Sequence, residues 1–62
     1  MNALIDLNAI NSKIQLMRNA AVELNQLGKN FPAVVRNTVR ILASLKMLEI
    51  NVSDVVNLDL DD

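Results

Sequence analysis

The stretch Leu27-Gly28-Lys29-Asn30-Phe31-Pro32 contains the only glycine and the only proline of the 62-residue chain, four positions apart. Segments with the apolar periodicity of helices lie on both sides of it. Glycine is common just past the end of a helix, where it can take the left-handed conformation, and proline is tolerated in the first helical turn. The stretch therefore predicts a turn at residues 28–31 and an all-α antiparallel helical hairpin.

The segment before this turn carries apolar residues at alternating spacings of four and three. This pattern predicts a helix over about residues 3–27, with Asn2 as its N-cap. Ser12 and Gln15 have the spacing of a capping box, which would start the helix at Lys13 instead. The unbroken periodicity favours the longer helix. Its apolar arc covers about half of the circumference, which predicts contact with more than one neighbouring helix.

The segment after the turn predicts a second helix over about residues 32–50, again with a broad apolar face. Phe31 is the only aromatic residue, and its position before proline suits an N-cap-like conformation. Its ring is expected to close the end of the hairpin. The acidic tail, residues 51–62, has two interpretations: a short third helix over residues 54–58 capped by Ser53 and Asp54, or an extended segment.

Charge is segregated along the chain although the net charge is only −1. Residues 13–46 carry all six basic residues and one acid, whereas residues 47–62 carry five acids and no base. The basic middle and the acidic tail could attract each other within one chain or between chains. Two ordinary solvated faces are the alternative.

Length and composition indicate one domain, residues 1–62, that lacks the usual supports of small proteins. A chain of this size buries only about 60% of its unfolded surface, and the absence of Cys and His excludes disulfides and zinc sites of the Cys/His type. No metal or cofactor is expected. Since 52% of the residues are apolar, we expect a homo-oligomer, with a dimer forming a four-helix bundle favoured, or a larger protein partner. The predicted interface residues are Leu7, Ile10, Ile14, Met17, Ala21, Leu24, Val34, Ile41, Leu45 and Leu48.

Two polar patterns are candidates for binding a further partner. The polar arc of the first helix is rich in amides, and Arg36 and Arg40 lie one turn apart and form a basic cluster with Lys29. The favoured alternatives are a general bias of the composition towards Asn for the amides and an ordinary solvated face for the basic cluster. The candidate partner-binding residues are Asn8, Asn11, Gln15, Arg18, Asn19, Arg36 and Arg40.

The side chains present predict a protein without enzymatic activity. His, Cys, Tyr and Trp are absent, the few hydroxyl residues lie in no nucleophile motif, and one glycine cannot form a phosphate loop. The expected function is a small protein–protein interaction module, such as an adaptor, accessory subunit or escort. The alternative is a regulator that presents one helical face to RNA or DNA, which a pI near 5.1 disfavours. No targeting signal or membrane span is recognisable, so a cytoplasmic location is expected.

Overall fold

The chain is a hairpin of two long helices. The computed structural model describes residues 5–61, with side chains described for residues 5–54. Helix α1 spans Leu7–Leu27 and helix α2 spans Pro32–Asp61. They pack antiparallel into a rod of 48 × 17 × 13 Å. The predicted all-α helical hairpin and its turn are confirmed.

Helix α1 begins later than predicted. Ile5 and Asp6 precede the helix, and Asp6 is its N-cap: the backbone is extended and Oδ1 accepts a hydrogen bond of 2.9 Å from the Ala9 amide. The predicted start near residue 3 is therefore wrong, as is the alternative start at Lys13. The proposed Asn2 cap lies outside the described residues. Aspartate is among the strongest N-cap residues, because its carboxylate accepts from the free amides of the first turn.

Gly28 ends α1 for a reason other than the predicted one. Its φ of −96° is not left-handed, so that prediction is wrong, although its amide donates to the Leu24 carbonyl as a cap should. A Cβ added at position 28 would lie 2.8 Å from the Cβ of Val34, closer than real side chains approach. Glycine is required here because the start of α2 passes so close to the end of α1.

Phe31 forms the N-cap of α2, but its ring does not close the hairpin. The Phe31 carbonyl accepts from the amides of Val34 and Val35 at 3.0 and 3.1 Å, which confirms the N-cap-like position. The residue is 60% exposed, so the predicted plug is wrong. Val34 already occupies the space beside Gly28, and the ring is left at the surface.

Helix α2 continues without interruption to Asp61. The predicted end at Ile50 is wrong, and so are both interpretations of the tail, because Ser53 and Asp54 lie inside the helix. The sequence contains neither Gly nor Pro after Pro32 to stop it. Val52 follows Leu45 by seven residues, on the same side of α2, and packs against the core. This contact extends the packed side of α2 past the predicted end.

The core between the helices is narrow. Among the described side chains, the buried hydrophobic residues are Ile14 and Ala21 of α1 and Leu45 of α2, and Leu42 and Val52 pack against them. Three buried apolar residues within residues 5–54 make a small core, because about half of the chain is apolar. Much of the apolar surface therefore remains outside it.

A polar pair interrupts this apolar packing near the turn. Thr38 is 1% exposed, and its Oγ1 accepts a 2.7 Å hydrogen bond from Asn25 Nδ2. The same hydroxyl can donate to the carbonyl of Val34 or Val35, at 2.8 and 3.0 Å. Within the described residues no buried side-chain polar atom lacks a partner. Because the pair joins one residue of each helix, it restricts how the helices can slide along each other.

Candidate interaction surface

One side of the hairpin carries a line of half-exposed apolar side chains, which we call the apolar face: Ile10, Met17, Leu24, Ile41 and Leu48. Each of the five is between 41% and 48% exposed. Within each helix they are spaced by seven residues, which places them on one side of that helix. The two helices thus contribute to a single apolar strip alongside the core.

Two adjoining open grooves lie between the helices along this strip. Met17 and Leu48 line both of them, one groove continuing to Ile41 and Arg40 and the other to Ile10 and Lys13. The volume of each is about 400 Å³. Open grooves of this size between two helices can receive the side chains of a further helix, as ridges fit into grooves in helix packing.

The structure divides the predicted interface residues into two groups. Ile14, Ala21 and Leu45 are buried between the helices of the hairpin itself, and Leu7 and Val34 are half-buried. The other five are the apolar face. Coverage of that face by a second chain stays a prediction.

The opposite side of the hairpin carries cross-helix polar contacts, and we call Gln15, Arg18 and Glu49 the polar face. Gln15 Nε2 donates to Glu49 Oε2 at 3.0 Å, and the Arg18 guanidinium forms an ion pair with the other carboxylate oxygen. Arg18 and Glu49 are each 31% exposed. Two predicted partner-binding residues are therefore held by the chain's own α2.

The remaining amides of the predicted binding arc lie in two kinds of surroundings. Asn8 and Asn11 line an open groove of about 680 Å³ beside the polar face, together with Lys46. Asn19 is exposed farther along α1. The amide arc is thus divided between a groove wall and open surface.

The predicted basic cluster lies near the turn. Lys29, Arg36 and Arg40 are all exposed, and Arg40 also lines a groove of the apolar face. The Asn37 side chain beside them donates to the Ala33 carbonyl at 2.8 Å. These three bases give the turn end of the hairpin a positive charge.

The sequence interpretation missed three residues that shape this surface: Asp6 as a cap, Glu49 as the acceptor on the polar face, and Asn25 as the partner of Thr38. Glu49 lies four residues after Leu45 and three before Val52, so helical spacing alone places it beside the core. That spacing was an available signal. Nothing in the sequence pairs Asn25 with Thr38, because their contact depends on the register of the two helices.

Comparison of the chain with protein-family models, with curated proteins and with solved structures gives no match in any of the three. In the part of the chain that the structure describes, neither helix has the length and apolarity needed to span a membrane. Among the same residues, no cluster of three or more acidic side chains is present that could hold a metal ion.

Proposed function

We propose that this chain is a small protein–protein interaction module that works as a dimer of helical hairpins, joined through the apolar face. The observation that carries the proposal is the strip of five half-exposed side chains contributed by both helices. Contiguous apolar surface of this kind marks protein contact sites, whereas scattered single residues do not.

The energy available at this face supports association. Covering the exposed half of one large apolar side chain is worth about 1 kcal/mol, since full burial is worth about 1.5–3 kcal/mol. A symmetric dimer covers the strip of both copies at once. The gain is then of the same order as the entropy cost of association, about 4–15 kcal/mol, so neighbouring contacts decide the affinity.

A second copy is the occupant that the hairpin fits best. Three buried apolar side chains among residues 5–54 are a small core, and the chain has no cysteine with which to reinforce it. Two hairpins facing each other make a four-helix bundle, in which each helix contacts two others. This arrangement covers the apolar strips and leaves both polar faces outward, where an adaptor or accessory subunit can meet a further protein.

The alternative of nucleic-acid binding draws less support. It needs a surface that neutralises several phosphates. Arg18 already pairs with Glu49. Lys13 and Lys46 line grooves on different sides of the hairpin. The other three bases lie at one end: Lys29, Arg36 and Arg40. A salt-dependent mobility shift of labelled RNA or DNA with the wild-type chain would favour this alternative over the proposal.

The test compares two substitutions at adjacent residues. Met17→Asp places a charge in the middle of the apolar face, whereas Leu16→Asp places the same charge at a 60% exposed position off that face. Light scattering is expected to give twice the chain mass of 6.9 kDa for the wild type and for Leu16→Asp, and the single-chain mass for Met17→Asp. A wild-type monomer, or a dimer that survives Met17→Asp unchanged, would contradict the proposal.

A further inference from the structure

The charges of the hairpin are unevenly distributed along its long axis. Its turn half, residues 19–45, holds three bases and one acid. Within residues 5–61, the other half holds five acids and three bases, and one of those bases, Arg18, is paired with Glu49. Asp6 caps α1 at that open end, and the last turn of α2 contains Asp59 and Asp61. The rod is basic at its turn and acidic at its open end.

The α1 part of the apolar face is symmetric about its middle. Along α1, Met17 lies seven residues after Ile10 and seven before Leu24. Met17 of α1 and Leu48 of α2 line the same two grooves, so they lie at the same level of the rod. Reversing the direction of α1 about Met17 therefore exchanges the positions of Ile10 and Leu24. An apolar side chain remains at each of these three levels of α1.

Two-fold symmetry allows two ways of placing such faces together. With the axis along the rod, the two turns lie side by side and each α1 packs on the partner's α2. With the axis across the rod, the turns lie at opposite ends and each α1 packs on the partner's α1. The first arrangement places like-charged ends together, and the second places each basic turn beside an acidic open end.

We infer that the two copies pack with their turns at opposite ends, α1 against α1, with Met17 near the two-fold axis and Ile10 level with the partner's Leu24. The inference rests on the proposed dimer and adds its orientation. Opposite charges at both ends favour this arrangement, and like charges disfavour the other. Screening limits the effect to charges within about 8 Å at physiological salt, so the apolar face supplies the affinity and the charged ends select the orientation.

The absence of cysteine from the chain allows a direct test with single cysteines. Ile10→Cys chains are mixed with mass-tagged Leu24→Cys chains and equilibrated in a glutathione redox buffer. Positions 10 and 24 are about 21 Å apart along one helix, so they report only contacts between chains. A matched mixture of Leu24→Cys and Ile41→Cys chains reports the arrangement with adjacent turns. In that arrangement, position 24 of one copy lies beside position 41 of the other copy. A disulfide needs Cα atoms within about 7 Å.

We expect the 10–24 mixed disulfide to exceed the 24–41 mixed disulfide by about tenfold or more, the range of a moderate coupling energy. A dominant 24–41 disulfide would overturn the orientation while leaving the dimer intact. Monomeric mass with neither disulfide would overturn the proposed dimer itself. The two failures are therefore distinguishable.

A charge variant tests the reason for the orientation. Lys29→Glu combined with Arg36→Glu makes both ends acidic and is expected to reduce the excess of the 10–24 disulfide several-fold. Lys46→Glu is the control, because Lys46 lies near the middle of the rod and lines the groove of the opposite side. An unchanged disulfide ratio in the double variant would contradict a selection by charge.

Discussion

The apolar and polar faces lie on opposite sides of the same pair of helices, yet they differ in their contacts within the chain. Side chains of the polar face bind one another across the two helices, whereas those of the apolar face stay half exposed. On the polar face, Gln15 and Arg18 of α1 reach Glu49 of α2. On the apolar face, the five large side chains remain about half exposed. The polar contacts hold the two helices of the hairpin together, whereas the apolar face stays accessible to solvent.

The difference follows from the physics of the two kinds of interaction. A hydrogen bond or ion pair is complete once donor and acceptor meet, so one acidic residue can satisfy a polar face. Apolar surface is stabilised in proportion to the area removed from water, and two helices in contact can cover only the strip between them. For this reason we propose the apolar face as the binding surface.

Leu45→Asp should have the largest effect on stability, because it disrupts the core between the two helices that carry both faces. Leu45 is 3% exposed in the core, and an unpaired buried charge costs several kcal/mol, comparable with the whole stability of a small domain. Circular dichroism is expected to show loss of helix at every concentration. Met47→Asp, at a 56% exposed position, is the control and should keep its helices. A fully helical Leu45→Asp chain would contradict the described core.

Gly28→Ala tests the close approach between the end of α1 and the start of α2. The added methyl group would collide with Val34, and overpacking of this kind costs about 1–3 kcal/mol. Thermal unfolding is expected to show the loss. Val34→Ala in the same chain should recover part of it, because it removes the Val34 Cγ1, the atom nearest to the added methyl group, while the Val34 Cβ stays. If Gly28→Ala is equally destabilising with and without Val34→Ala, the steric explanation is wrong.

Glu49→Gln should weaken the polar face alone. It removes the charge that Arg18 pairs with, at a site about one-third exposed, and we expect a loss of about 1 kcal/mol or less that shrinks further at high salt. Asp54→Asn, an exposed change of the same kind on α2, is the matched control. Chemical denaturation measures both. Dissociation of the dimer by Glu49→Gln would show that the two faces are not independent.

Deletion of residues 57–62 should have the smallest effect on the hairpin. The deletion removes the acidic end of α2 but none of the core residues described above, so the loss of unfolding free energy should stay below about 1 kcal/mol. The preference for the 10–24 disulfide should nevertheless fall. Asp59→Asn with Asp61→Asn keeps the length and removes only charge. If the truncated hairpin is unfolded at room temperature, the deleted last turns of α2 are required for the fold.

The hairpin itself could be predicted because Gly28 and Pro32 are unique and the periodicity around them is strong. The ends of the helices could not. Asn2 and Asp6 are both good caps, and only the structure shows which one begins α1. The acidic and amide-rich composition after Ile50 suggested a break, whereas the packing of Val52 on the core extends α2 past it.

The candidate surface could be predicted only in part, for a related reason. The sequence identifies a broad apolar arc on α1, but the rotation of α1 against α2 decides that Ile14 faces inward and Met17 outward. The contacts of Gln15 and Arg18 with Glu49 join residues more than 30 positions apart. Such pairs depend on the register of the hairpin, which local spacing does not specify.

The most direct test of the central claim is thermal unfolding of the wild-type chain over a hundredfold dilution series, with the mass measured on the same samples. If a second copy covers the apolar face, folding is coupled to association, and Tm must rise with concentration. We predict a rising Tm and a mass of twice 6.9 kDa at the concentrated end. A Tm that stays constant, with the single-chain mass at every concentration, would contradict the account.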